Sequence, residues 1–224
     1  MSHLLPASFN REHVNLSAAF GQISHLQYEL GLMVNRRWWR IYTCLFSHSF
    51  CTIASYRLDR LLFLAFGPAW QITRQVLSPL SFLLRPWLGS CEIHYKADIG
   101  RGFRILHPNL GVVISSYAEI GDHLTLTGGN CIGRRRGGPE TESICIGNHV
   151  LLGANAVVLG PIHIGDRVSV AAGSVVLQDV RNDAVVGGVP AKLISAVTRH
   201  GGPESSDDAM ASCSPEGGKS ASLN

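Results

Sequence analysis

IGNHVLLGANAVVLGPIHIGDRVSVAAGSVVLQDV, residues 146–180, carries an aliphatic residue at every sixth position: Ile146, Leu152, Val158, Ile164, Val170 and Val176. Four residues after each stands a small or branched one, Val150, Ala156, Ile162, Val168, Ser174 and Val180, and Gly147, Gly153, Gly165 and Ala171 directly follow an aliphatic. The same phase runs earlier through Ile93, Ile99 and Ile105, and after an insertion through Ile114, Ile120, Leu126 and Ile132. Neither a helix of 3.6 residues per turn nor a strand of period two accounts for a strict six. A triangular solenoid does: each hexad is one short strand and one corner, the aliphatic points inward, and small residues let the backbone turn. Three hexads close a coil of about eighteen residues, and coils stack as parallel strands. Residues 93–180 then supply roughly five coils. A noncatalytic solenoid would carry the same pattern, so the repeat alone does not establish an enzyme.

Around this repeat the chain of 224 residues is 46% hydrophobic, enough for a full core. A formal charge of +3 with 16% charged residues gives no general field for nucleic acid. The six cysteines, Cys44, Cys51, Cys91, Cys131, Cys145 and Cys213, form no CxxC pair and no zinc-like spacing, and read as reduced, mostly buried thiols of a cytoplasmic protein with no metal site. The start, MSHLLPASFNREHVN, lacks the basic and apolar stretches of a cleaved signal. Residues 1–34 are mixed and polar, and 35–88 are rich in Trp, Leu, Phe and Arg. Together they make an N-terminal helical segment, 1–88, with helices near 36–48, 51–66 and 69–84, broken around Gly67 and Pro68 and ended by Pro86. Its longest apolar run, LLFLAFGPAW, is about half of what a bilayer crossing needs. The Trp pair beside Arg36, Arg37 and Arg40, with Trp70 and Trp87, could rest on an anionic membrane surface. The favoured reading is that these residues pack on the repeat region or a neighbouring subunit. Residues 89–196 form the solenoid, and the Ser, Gly and Asp content of 197–224 predicts a disordered tail.

Two places break the hexad rhythm. One is His107-Pro108-Asn109-Leu110-Gly111, which puts a histidine at a corner; the other is the excursion from Gly133 to Ser143, with Arg134, Arg135 and Arg136. A histidine serves as general base when a carboxylate fixes its tautomer and leaves the other nitrogen free to take a hydroxyl proton. Glu92, fifteen residues before His107, falls on the adjacent coil near the same corner. A histidine in a turn is otherwise more often structural. No cysteine or serine beside a base suggests a covalent acyl-enzyme, so transfer would be direct.

The segments IGRGFRILHPNLGVV, TLTGGN, LLGANAVVLGPIHIGDRVSVAAGSVVL and VVGGVPAKLI resemble the serine acetyltransferase branch of the hexapeptide-repeat acyltransferases, over about residues 89–196. The resemblance implies a left-handed parallel β-helix, mainly β with the helical segment at its N-terminus, in a homotrimer whose sites lie between subunits. It implies acetyl-CoA as donor and direct transfer to a hydroxyl, with His107 on the catalytic histidine and Glu92 on the residue that orients it. It places Gly128 and Gly129 beside the thioester, Ala154 and Ala172 along the coenzyme groove, and Lys192 near the nucleotide end, where attraction to phosphate is reasonable. Tight corners need small residues in any case, and that alternative stands for each groove position.

Departures concern the acceptor. Leu106 replaces the aspartate before the catalytic histidine, and Glu142 and Ser143 replace an arginine and histidine on the loop. Losing these polar groups weakens a site for a zwitterion. The pattern is similar to the acetyltransferases of colanic acid and other exopolysaccharide clusters. The expected function is therefore an acetyl-CoA-dependent O-acetyltransferase acting on a sugar hydroxyl, on a small or lipid-linked saccharide, and the N-terminal helices would suit peripheral membrane contact if the acceptor is lipid-linked. The alternatives are a serine O-acetyltransferase and a noncatalytic scaffold. The chain ends Ser-Leu-Asn rather than in isoleucine, so docking to a sulfhydrylase is not expected.

Overall fold

The hexad aliphatics point inward because each coil alternates outward and inward residues along very short strands, leaving an apolar ladder at the centre. The computed structural model describes residues 15–34, 39–77, 90–135 and 143–196. In it Ile99, Ile105, Ile114, Ile120, Leu126, Ile132, Ile146, Leu152, Val158, Ile164, Val170 and Val176 are all buried. The second ladder, Val150, Ala156, Ile162, Val168, Ser174 and Val180, is buried with them.

One sheet stacks β1 (Cys91–Ile93), β4 (Val112–Ile114), β7 (Asn130–Arg134), β10 (Val157–Gly160) and β13 (Val175–Val176). A second holds β2 (Asp98–Ile99), β5 (Ala118–Ile120), β8 (Ile144–Ile146) and β11 (Ile162–Ile164). The third holds β3 (Arg104–Ile105), β6 (Thr125–Leu126), β9 (Leu151–Leu152), β12 (Ser169–Val170), β14 (Ala184–Gly187) and β15 (Lys192–Ala196). Pairing is parallel between coils: Val112 faces Asn130 and Val157 faces Val175, steps of eighteen residues. β15 turns back antiparallel on β14 and closes the last coil. The fold is thus mainly β, in parallel sheets built from hexads, with helices at its N-terminal end.

Some corner glycines are required by closeness, with no left-handed turn. A Cβ on Gly147 would lie 2.5 Å from the Asp166 carboxylate, and one on Gly153 2.5 Å from the Ala172 nitrogen. Left-handed backbone falls on His123, His149, Asn155, Arg167 and Asp183, with φ from 56 to 61°, as well as on glycines such as Gly102, Gly111 and Gly173. At one corner side chains replace missing backbone partners coil by coil. Asp122 Oδ1 accepts from the Arg101 amide, Asn148 Oδ1 from Asp122, Asp166 Oδ1 from Asn148 and Asn182 Oδ1 from Asp166.

Three helices precede the solenoid: α1 (Leu16–Val34), α2 (Arg40–Leu45) and α3 (His48–Phe66); residues 68–77 are helical too. α1 lies in the stretch read as mixed and polar. Two of its three buried residues, Gln22 and Glu29, are polar, and they interrupt a face on which Ala19 and the half-buried Leu26 and Met33 are apolar. The single helix expected over 36–48 ends at Leu45, because the Ser47 hydroxyl caps the next helix by accepting from the Phe50 amide at 3.2 Å. Gly67, at φ 58°, makes the expected break. Residues 36–38 and 78–84, Pro86, Trp87 and the tail 197–224 lie outside the described residues.

α3 sits over the open edge of the first coil, whose carbonyls have no strand above them. The Tyr56 hydroxyl and Arg60 both donate to the Ala97 carbonyl, at 2.8 and 2.6 Å, and Arg60 pairs with Asp98. Arg57 donates to the Ile99 and Gly100 carbonyls at 2.7 and 2.6 Å. Glu29 of α1 balances its charge at 2.6 Å while also accepting from the Phe103 amide. Trp70 packs in this layer, its indole donating to Asp59, whereas Trp39, Tyr42 and Phe46 are exposed. No described helix is long and apolar enough to cross a membrane. Cys44, Cys51, Cys91 and Cys131 are free thiols.

Two histidines give this layer a pH dependence. Burial, reinforced by Arg57, holds His25 below its ordinary 6.5, and its buried Nδ1 has no hydrogen-bond partner among the described residues. Burial, with Arg74 and Lys96, does the same to His94. Below about pH 6.5 the unfolded chain gains protons that the folded chain refuses, so stability present above that pH is lost as the pH falls toward the folded values. The melting temperature is expected to drop through this window, and His25→Asn to flatten the drop, in thermal unfolding recorded from about pH 8 to 5.

Candidate active site

His107 follows β3 at the corner between the third sheet and the first. Its amide donates to the Thr127 carbonyl at 2.9 Å and its own carbonyl accepts from Leu110 at 3.2 Å. Pro108 opens a single 3-10 turn over Pro108–Leu110, and Gly111, at φ 77°, turns the chain into β4. The His107 side chain is exposed, flanked by exposed Leu106 and Leu110.

The small residues singled out from sequence stack along this one corner. Gly128 lies against the His107 carbonyl, the Gly129 amide donates to Gly111, and the Gly128 carbonyl accepts from Asn155. Ala154, half-buried, follows in the next coil, its carbonyl accepting from Gly173, which adjoins the exposed Ala172. Lys192, exposed on β15, pairs with Gly187 at the far end. With strands about 4.8 Å apart, four coil steps give a shallow track of about 19 Å leading away from His107.

Glu92 is exposed on β1, one strand position from Cys91, whose thiol donates to the Pro108 carbonyl at 3.3 Å. β1 and the His107 corner are therefore adjacent, but among the described residues no ion pair or hydrogen bond joins the Glu92 carboxylate to the imidazole. Such bonds are commonly long before substrate is bound and tighten in the complex. The Gly128 and Gly129 amides are both used internally, by Asn130 Oδ1 at 2.9 Å and by Gly111. These two amides are therefore not free to meet a ligand.

Asn130 went unnoticed in the sequence. It is 1% exposed, and its Nδ2 donates to the Gly153 carbonyl at 2.7 Å, so its amide ties two successive turns of the track. An asparagine standing in an inward ladder between Val112 and Ala156 was the available signal, because a polar side chain inside the coil must satisfy backbone groups. Gly128→Ala would drive a methyl into the His107 carbonyl at φ 136°, where side chains are strained. The expected result is a loss of activity of about tenfold or more with a fall in melting temperature, measured on one preparation.

Arg134 ends β7 with its guanidinium 4.4 Å from the centre of the Tyr117 ring, and the Arg135 amide donates to Gly160. Arg136, Gly137, Gly138 and Glu142 lie outside the described residues, and Ser143 precedes β8. Among the described residues no group of three or more His, Cys, Asp or Glu is placed to hold a metal ion.

A family model described as bacterial transferase hexapeptide (six repeats) matches residues 146–178. A serine acetyltransferase from Synechococcus elongatus is 40% identical over 120 residues, which is 54% of this chain and 47% of that protein. One from Helicobacter pylori is 40% identical over 116 residues, 52% of this chain and 67% of that protein. The chain thus spans about half the length of the first relative and two thirds of the second. The structure of a Brucella abortus serine acetyltransferase in complex with coenzyme A superposes with a TM-score of 0.63 at 26% identity, covering 81% of this chain and 71% of that one.

These relatives overturn the expectation of an exopolysaccharide-type enzyme acting on a sugar hydroxyl. That reading gave three local replacements, Leu106, Glu142 and Ser143, more weight than agreement along the whole repeat. Acceptor contacts occupy few positions and can be rebuilt from neighbouring residues, whereas the track and its corner depend on every coil. The chain belongs to the serine acetyltransferase family of hexapeptide-repeat acyltransferases.

Proposed function

We propose that this protein is an acetyl-CoA-dependent serine O-acetyltransferase. The observation that carries the reading is the single corner on which exposed His107 heads a track of small residues, Gly128, Gly129, Ala154 and Ala172, ending near Lys192. In this reading the fold is a left-handed β-helix and the track receives the coenzyme arm, with its thioester at the Gly128–Gly129 end and its phosphates toward Lys192. His107 takes the proton of the seryl hydroxyl as that oxygen attacks the thioester carbonyl. The tetrahedral intermediate collapses with cleavage of the carbon–sulfur bond, and the departing thiolate takes the proton back from His107. Glu92 holds the ring in the tautomer that keeps one nitrogen free.

A homotrimer belongs to the same proposal. The outward ladder of the first sheet runs from Glu92 through Val113, Cys131, Val157 and Val175, with Leu159 beside it, so beyond Glu92 this face is apolar and favours a cover. A second copy on that face would stand beside Glu92 and complete the cleft. Purified protein with acetyl-CoA should release free thiol when L-serine is added and yield O-acetylserine. Absence of serine-dependent release from a folded, oligomeric preparation would refute the assignment.

A further inference from the structure

We infer that Cys91 is a positioning residue, its thiol holding the strand that carries Glu92 against the turn that carries His107. The inference rests on the proposed function above. Three elements meet at this sulfur. The thiol donates to the Pro108 carbonyl at 3.3 Å, one residue beyond His107. Thr52, buried on α3, hydrogen-bonds the sulfur from the helical layer, and Val112 at the start of β4 is the ladder partner of Cys91 in the next coil. α3 itself packs against the Pro108–Leu110 turn. Glu92 is the next residue along β1, so any shift of Cys91 relative to Pro108 changes the reach from carboxylate to imidazole.

The chemistry suits a fixed donor. Burial raises the Cys91 pKa, which keeps the group as a neutral thiol able to donate, and the sulfur is a free cysteine. A thiol is a weak donor, so its part is orientation more than stability. Valine keeps the volume and loses the donor; serine keeps a donor on a shorter bond. A sequence reading that sees only a half-buried small residue at this position predicts the reverse order, with valine tolerated and serine harmful.

Cys91→Val is expected to lower kcat for serine acetylation about tenfold, with KM for acetyl-CoA within about twofold, since the track lies along other coils. Cys91→Ser should recover most of the lost kcat. A valine variant with wild-type kcat, or a serine variant as impaired as valine, overturns the inference. Should Cys91→Val fail to fold, Thr52→Val, which removes the helical bond to the sulfur, carries the test: an unchanged kcat overturns it. His107→Ala measured alongside separates the two levels. An inactive His107→Ala beside an unaffected Cys91→Val rejects the role of Cys91 alone, whereas a fully active His107→Ala rejects the function on which it depends.

Discussion

Replacement of His107 by alanine is expected to lower kcat/KM for serine-dependent thiol release by about 10³-fold while leaving the melting temperature nearly unchanged. The size follows from what a positioned base contributes, about 10² to 10⁴ in rate. The indifference of stability follows from exposure: the ring stands at an open corner, and the turn is held by its backbone, through Thr127, Leu110 and Gly111. His107→Asn makes a second point, since it retains polarity and size without a titrating nitrogen and should be equally impaired. A noncatalytic scaffold would show no such split between activity and stability. Steady-state kinetics and a thermal melt on the same samples decide the matter, and a variant within about twofold of wild type would end the catalytic reading.

The second large effect concerns the helical cap. Arg57→Ala should destabilise the protein by about 3 to 5 kcal/mol, because it leaves the Glu29 carboxylate buried without its cation and uncovers the Ile99 and Gly100 carbonyls. Both partners are 1% exposed, so solvent cannot take the place of the lost contacts. For a chain of this size the melting temperature should fall by roughly 6 to 20 °C. Glu29→Gln, which keeps an acceptor for the Phe103 amide, should cost less. A double-mutant cycle across Arg57 and Glu29 should return a coupling of more than about 1 kcal/mol; additive losses would show that the pair is not a unit.

The solenoid was legible because its cause is one-dimensional. Six-residue spacing is imposed by the distance between corners, so Ile146 to Val176 announce both the coil and its inward face. His107 could be singled out because it interrupts that regular pattern, whereas the small residues of its track were named only through the resemblance to serine acetyltransferases. α1 was not legible, since Gln22 and Glu29 interrupt the contact face on which Leu26 and Met33 pack and so weaken its hydrophobic signal. Asn130 escaped because its role lies in backbone groups of another coil, Gly153 among them, which no local pattern reveals. The acceptor was misread for a related reason. It is chosen by a few polar contacts from separate segments, and absence of familiar residues at Leu106 and Ser143 does not say what stands in their place.

The fixed register of the coils makes the corner a ruler. Positions along it recur only at whole strand spacings of about 4.8 Å, so the interval between the imidazole and the terminal lysine cannot be tuned continuously. Insertion or deletion of one complete circuit would lengthen or shorten that interval by a full graduation while leaving every side chain at either end in its original surroundings. Under the proposed function a donor of fixed length would be measured by counting, and selection among thioesters with longer or shorter handles would reduce to the number of circuits between the two ends.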